Sequence, residues 1–308
     1  MEFVSSRWWR TDISSSSEVD VCQVITVNKE VRVLRRWTGT SAREGQVLPL
    51  TRWVARFIIP FLAAAFLVLY GLPDQTTTYF SWTIRPEMTP IIMGAGYAAG
   101  VYFFYRVSTV EEWHTVASVF LGIATFTWLM AIATVLHWEN FNHSHFTFDL
   151  WVLLYAVTPV LIPAVWAVNR RTEPEELTGD DPSLPQAVRV LGGVIGVIVT
   201  VSAVAMFVAP ELMIGAWPWT VSPFTARILA GWFALFGVVN GVVVLDPRWS
   251  ATRILVQSQI IGFTLVLIGL ARVWATFDPS NVLTWGVVGG MGLYLIAVLL
   301  LYIRTETC

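Results

Sequence analysis

The sequence predicts an all-α, polytopic membrane protein with eight transmembrane helices arranged as two tandem four-helix parallel repeats, and three observations carry that expectation. The 308-residue chain is 56% hydrophobic and only 13% charged, whereas soluble domains carry about 25% charged residues. From residue 52 onward the apolar residues fall into eight runs, each close to the ~20 residues a helix needs to cross a ~30 Å hydrocarbon core. Finally, an ordered series of residues matches itself at an offset of 137.

Residues 1–51 read as a polar cytoplasmic tail. The Ser-rich stretch 1–46 has no apolar core of the kind a signal peptide requires. A start-site artefact is the other reading, because Glu44-Gly45 can be encoded by a purine-rich ribosome-binding sequence ahead of Val47. The apolar runs lie at about 53–72, 88–106, 115–137 and 149–169, and again at 188–209, 224–245, 253–274 and 282–303. Backbone polar groups in lipid must be paired internally, so each run reads as a helix. The alternation of a membrane β-barrel strand is absent. The acidic, turn-rich stretch 171–187 reads as a cytoplasmic linker between a first unit, 52–170, and a second, 188–308.

Within the repeat, Trp82-Thr83, Pro86 and Gly94 match Trp219-Thr220, Pro223 and Gly231. Arg52, Pro73 and Phe126-Thr127 match Arg189, Pro210 and Phe263-Thr264. Shifted by one residue, Trp138 and Phe141 match Trp274 and Phe277. Each unit contains an even number of spans, so the halves should be related by an axis along the membrane normal. Pro86 and Pro223 suit the first turn of a helix, where a missing N–H costs little.

Arginine placement sets the orientation. With both termini inside, the inner ends hold Arg52, Arg56, Arg106, Arg170, Arg171, Arg189, Arg248, Arg253 and Arg304, and the outer ends only Arg85, Arg227 and Arg272. Trp82, Trp138, Trp151, Trp217, Trp219, Trp274 and Trp285 then read as anchors at the outer headgroup boundary. Gly96-xxx-Gly100, Gly192-xxx-Gly196, Gly237-xxx-Gly241 and the "GVVGGMG" run at 286–292 mark close helix packing, with a lipid or ligand groove as the sharper alternative.

Several functions are disfavoured. A net charge of −2 gives no nucleic-acid partner. Cys22 and Cys308 form no disulfide framework or metal spacing. Lys29 is the only lysine, so no span offers a Schiff-base amine. The middle of every run lacks acidic, basic and histidine side chains, which argues against proton- or sodium-coupled transport. Neither a G-x-S-x-G elbow nor a phosphate-binding glycine loop is present. Mid-span polarity rests on hydroxyls, Asn240, and the group Gln257, Ser258 and Gln259, for which interhelical hydrogen bonding is the expected role. The two glutamines cannot share one helical face.

Candidate sites therefore lie on the outer face. Arg85, Glu87, Glu211, Arg227 and Arg272 are candidates for ligand binding or an outward polar bowl, against the simpler reading of snorkelling arginines. The stretch "HWENFNHSHF" brings His137, Glu139, His143 and His145 together as candidate metal ligands, since neutral imidazole binds zinc, copper or iron. No established metal or haem motif accompanies them, and a hydrogen-bonded loop is the simpler alternative.

The segments "HWENFNHSHFTFDLWVLLYAVTPVLIP" and "WPWTVSPFTARILAGWF" resemble parts of bacterial multi-pass integral membrane proteins that have no assigned activity. The resemblance covers about the central third of the chain. It implies the bacterial plasma membrane but transfers no functional residue and no cofactor. Three functions follow as expectations. The first is binding or transport of a small apolar or lipid-like molecule between the repeats. The second is a membrane enzyme or redox subunit using the His/Glu loop. The third is a structural subunit, with a homo-oligomeric or membrane-complex partner beside the lipid bilayer.

Overall fold

The computed structural model describes residues 45–171 and 181–307. Most of the polar tail, including the segment ahead of Val47 up to Glu44, and most of the linker lie outside the described residues. Among those described, the chain is helical, with isolated β-bridges and no named strand. The eight long helices are α1 Pro49–Phe66, α2 Met88–Thr109, α3 His114–Leu136 and α4 Phe146–Arg170, then α5 Gln186–Val208, α6 Pro223–Val242, α7 Trp249–Arg272 and α8 Val282–Thr307. A π-helical turn, Leu67–Gly71, extends α1 and lies against Gly94 of α2.

Seven of these helices are long and apolar enough to cross a membrane, so the chain has the make-up of a multi-pass membrane protein. The exception is α2. Its 22 residues suffice in length, but glycine, threonine, tyrosine and an arginine dilute its apolar content. The reason lies in its position. α2 packs between α1 and α7, and its first turns from Met88 to Ala95 are entirely buried. A helix surrounded by protein does not need the greasy exterior that lipid contact demands.

Local sequence explains the helix starts. Pro49 and Pro223 occupy first-turn positions, where the missing N–H breaks no helical bond. The Ser222 hydroxyl accepts from the Thr225 amide at 3.1 Å and caps α6. The His145 ring takes the same role for α4, accepting from the Thr147 amide at 3.3 Å. Pro86 differs from its expected place: α2 begins at Met88, and Pro86 precedes the cap Glu87, its carbonyl accepting from Thr89 N at 3.1 Å.

Packing follows a regular scheme. α1 lies on α2 as α5 lies on α6, and α3 lies on α4 as α7 lies on α8. Across the middle, α3 meets α6, α2 meets α7, and α3 meets α7. The central helices α2, α3, α6 and α7 thus carry the core, and the other four flank it. At one end of the bundle, Val47 N donates to Glu111 O and Leu184 N to Pro247 O, both at 2.7 Å. Trp113 N donates to Gly45 O and Trp249 N to Pro182 O in the same manner, and both indoles are buried. The next residues, His114 and Ser250, touch each other, Nε2 to Oγ at 2.8 Å. At the other end, short 3-10 turns Trp138–Asn140 and Trp274–Thr276 follow α3 and α7. Phe141 packs on Trp82 with ring centres 5.1 Å apart, and Phe277 on Trp219 at 5.4 Å.

The tryptophans divide differently from the expectation of a uniform interface belt. Trp82, Trp151 and Trp219 are buried, whereas Trp138 and Trp285 are exposed. Trp82 and Trp151 form an aromatic core with Phe80, Phe141 and Phe224, while Trp219 packs on Trp217 and Phe277. Their polar edges are met internally: Trp151 Nε1 donates to Thr134 Oγ1 at 2.9 Å and Trp219 Nε1 to Thr89 Oγ1 at 3.0 Å. An indole whose N–H finds a protein acceptor loses little by leaving the headgroup boundary.

Candidate functional site

The residues expected on the outer face separate into small, independent contacts. Arg227 reaches the end of α5, donating from Nε to Phe207 O at 2.9 Å, and its Nη1 lies 2.9 Å from His137 Nε2. Arg272 donates to Tyr70 O at 3.1 Å and lies over the Tyr70 ring. Both guanidinium groups therefore occupy helix C-terminal carbonyls, where a cation complements the unpaired acceptors. Arg85 is exposed, 3.9 Å from Glu87, and donates to Asp74 O at 2.8 Å. Glu211 and Glu139 are exposed.

The histidine-rich loop is likewise dispersed. His143 Nε2 lies 3.0 Å from Trp138 O, and the His143 ring packs on Phe148. His145 Nδ1 lies 2.6 Å from Thr147 Oγ1 as part of the α4 cap. His137 faces Arg227 and packs on Phe224. Burial, and then the Arg227 charge, hold its pKa below the usual histidine value. Among the described residues no group of three His, Cys, Asp or Glu side chains converges to hold a metal ion. The only sequence-selected pairs brought together here are His137 with Arg227 and Arg85 with Glu87.

A sizeable cavity lies elsewhere, within the helix bundle. It measures about 810 Å³, and every one of the eight helices contributes to its wall. Ligand pockets typically measure ~300–1,000 Å³, with apolar walls and a few placed polar groups. The wall here is predominantly aliphatic and aromatic. Trp232 crosses toward α2 and α3, its ring centre 4.9 Å from that of Tyr97 and 4.5 Å from that of Phe126. It fits because Gly96 has no side chain: a Cβ there would overlap the indole. Tyr97 and Tyr155 share a hydroxyl–hydroxyl bond of 3.2 Å at the wall.

A second polar group stands in the other half. Tyr294 Oη lies 2.9 Å from Asn240 Oδ1 and 2.8 Å from Gln259 Oε1. Gln257 turns away from the cavity. Its Oε1 accepts from Tyr102 at 2.6 Å and from Arg106 at 3.0 Å, and its Nε2 donates to Tyr302 at 3.0 Å. Both glutamines thus tie helices together, and only Gln259 reaches the wall.

The glycine motifs split in the same way. Gly196 and Gly237 permit the close crossing of α5 and α6: a Cβ on Gly196 would collide with the Gly241 backbone, and one on Gly237 with Thr200. The expectation of close packing fails for α8. Added Cβ atoms at Gly286, Gly289, Gly290 and Gly292 would meet nothing within 4 Å, and Gly286 and Gly290 line the cavity. These glycines widen a space instead of closing one.

No family model matches the chain, and comparison with curated proteins and with solved structures finds no similar one. The sequence offered a ligand groove only as the alternative to close packing at the glycine motifs, and it did not place the cavity, because no charge marks it. Its traces were Gln259 and the "GVVGGMG" run, each of which also suits ordinary helix packing.

Proposed function

We propose that this chain is a bacterial inner-membrane protein that binds a small apolar or lipid-like molecule, taken from the bilayer into the cavity between two four-helix repeats. The observation that carries the reading is the cavity of about 810 Å³, walled by all eight helices and bordered by the unfilled glycine face of α8. In a membrane such a space is open to occupants drawn from an apolar solvent, and binding is favoured by filling volume that water would leave unsatisfied.

The finer architecture supports the same reading. Eight spans follow if α2, although less apolar, crosses within the bundle. The paired bridges at Gln46–Glu112 and Ser183–Arg248, the paired 3-10 turns and the exchanged contacts α3–α6 and α2–α7 favour tandem parallel repeats about an axis between α3 and α7. The arginine excess favours both termini inside. Transport between leaflets would be a further use of the same cavity.

Native mass spectrometry of the full chain released from bacterial membranes in mild detergent tests the reading. The wild type is expected to retain a bound apolar molecule, and Gly290→Leu to lose it while remaining folded. Equal retention by both proteins, or none by the wild type, would overturn it.

A further inference from the structure

The cavity is not closed evenly around its circumference. Gly286, Gly290, Leu293 and Ala297 of α8 recur at helical spacing on its wall and are themselves exposed, Leu293 by 71%. Residues that line an interior space and also meet the outside mark where that space opens. Across the gap, Ile195, Val199, Ser202 and Met206 of α5 recur on the wall at the same spacing. Yet the two helices scarcely touch, because α5 packs on α6 and α8 packs on α7. The last turn of α8 is tied in the same direction. Glu306 accepts from Trp249 Nε1 at 2.9 Å and pairs with Arg253, both on α7.

The seam between α1 and α4 in the first half is shut. Phe61 and Leu62 of α1 and Leu154 and Ile162 of α4 line the cavity there, and none of them is exposed. At the end of α4, Asn169 Oδ1 accepts from Leu48 N at 3.0 Å and Nδ2 donates to Thr51 Oγ1, which stitches α4 to the start of α1. Bulky side chains and a hydrogen-bonded stitch close one side. Glycines and the absence of α5–α8 packing leave the other open.

From Gly286 to Ala297 the open edge runs about 16 Å at ~1.5 Å per residue, roughly half of a ~30 Å hydrocarbon core. Both α5 and α8 are apolar enough to cross a membrane, so the medium at their seam is hydrocarbon. No charged residue lines the cavity, so an acyl chain can enter it whereas a charged headgroup would be stranded without a partner.

Resting on the cavity reading, we infer that the α5–α8 seam is a lateral doorway and that an acyl chain of a bilayer lipid passes through it. The chain enters sideways, and the headgroup stays at the membrane surface.

Photolabelling of the full chain in lipid nanodiscs tests this, with a phosphatidylethanolamine that carries a diazirine on one acyl chain. Cys22 and Cys308 are first changed to serine. Val199→Cys and Leu293→Cys are then joined by a cleavable bis-maleimide linker. The readout is label around Tyr97 of α2, which is buried and lines the cavity, relative to label on the lipid-facing sides of α5 and α8. Label at Tyr97 is expected in the open protein, to be lost on joining and to return when the linker is cleaved. Joining Phe61→Cys to Leu154→Cys across the first seam should leave it unchanged. Ser202→Trp, which fills the gap without a linker, should reduce it severalfold. Unchanged label in the joined protein or in Ser202→Trp, loss on joining the first seam, or linkage only between two copies of the chain would overturn the doorway and leave the cavity reading standing. No label at Tyr97 in the open protein would overturn the acyl chain as occupant; the cavity reading then falls only if the wild type also retains no bound molecule.

Discussion

His137 and Arg227 show how a single contact defines a chemical state. A guanidinium has donors only, so His137 Nε2, 2.9 Å away, must be an acceptor and the ring proton sits on Nδ1. Protonating the ring removes that acceptor and sets two cations side by side, which agrees with a pKa held below the usual 6.5 by burial and by Arg227. For a depressed histidine the stabilising contribution is complete above the unfolded pKa and is lost as pH falls through the folded one. The melting temperature of the detergent-solubilised chain should therefore fall as pH is lowered below about 6.5. His137→Gln, which keeps an acceptor oxygen but does not titrate, should show a shallower fall; parallel curves would contradict the assignment. The sequence places three histidines within ten residues, but adjacency in a turn says little about direction. The 3-10 turn after α3 and the cap of α4 aim each ring at a different partner. Arg227 and Arg272 were likewise legible as residues near helix ends, but not as caps on the carbonyls of Phe207 and Tyr70. That role depends on tertiary approach across helices.

At the scale of single helices, glycines of similar sequence context have opposite consequences. Gly196 meets backbone on α6, so Gly196→Ala must push α5 and α6 apart and should destabilise by about 1–3 kcal/mol, the cost of overpacking. Gly290 meets nothing within 4 Å, so Gly290→Ala should stabilise α8 by about 0.5–1 kcal/mol through helix propensity. Differential melting of the two variants in one detergent checks both signs; destabilisation by Gly290→Ala would mean that the face of α8 is closed by contacts. Helix positions were readable from the apolar runs, because length and hydropathy are local properties. Which face of a helix meets protein was not, since α5 and α8 carry comparable small-residue patterns yet only the former uses them for packing. The low apolar content of α2 had a tertiary cause as well: its burial between α1 and α7.

For the molecule as a whole, similar local contacts recur at the ends of the bundle, while the long helices between them differ in burial. The bridges, buried tryptophans and 3-10 turns recur at matching positions. The flanking helices do not: 6% of the apolar stretch of α8 is buried, against 28% of that of α4, its counterpart in chain order. The Tyr97–Tyr155 bond lies in one half and the Asn240–Tyr294–Gln259 cluster in the other. Matching backbone contacts thus tie the ends of the bundle, and the glycines of α8 leave open the space that borders the cavity. The membrane class and the ordered self-match could be read from composition and spacing. The position and walls of the cavity could not, because they are formed by what side chains leave empty. An experimental density map of the full chain in bacterial-lipid nanodiscs tests the central claim most directly. Elongated density within the cavity, along the glycine face of α8, is the predicted result. A map in which α8 closes onto α5 and leaves no occupied space between the halves would contradict it.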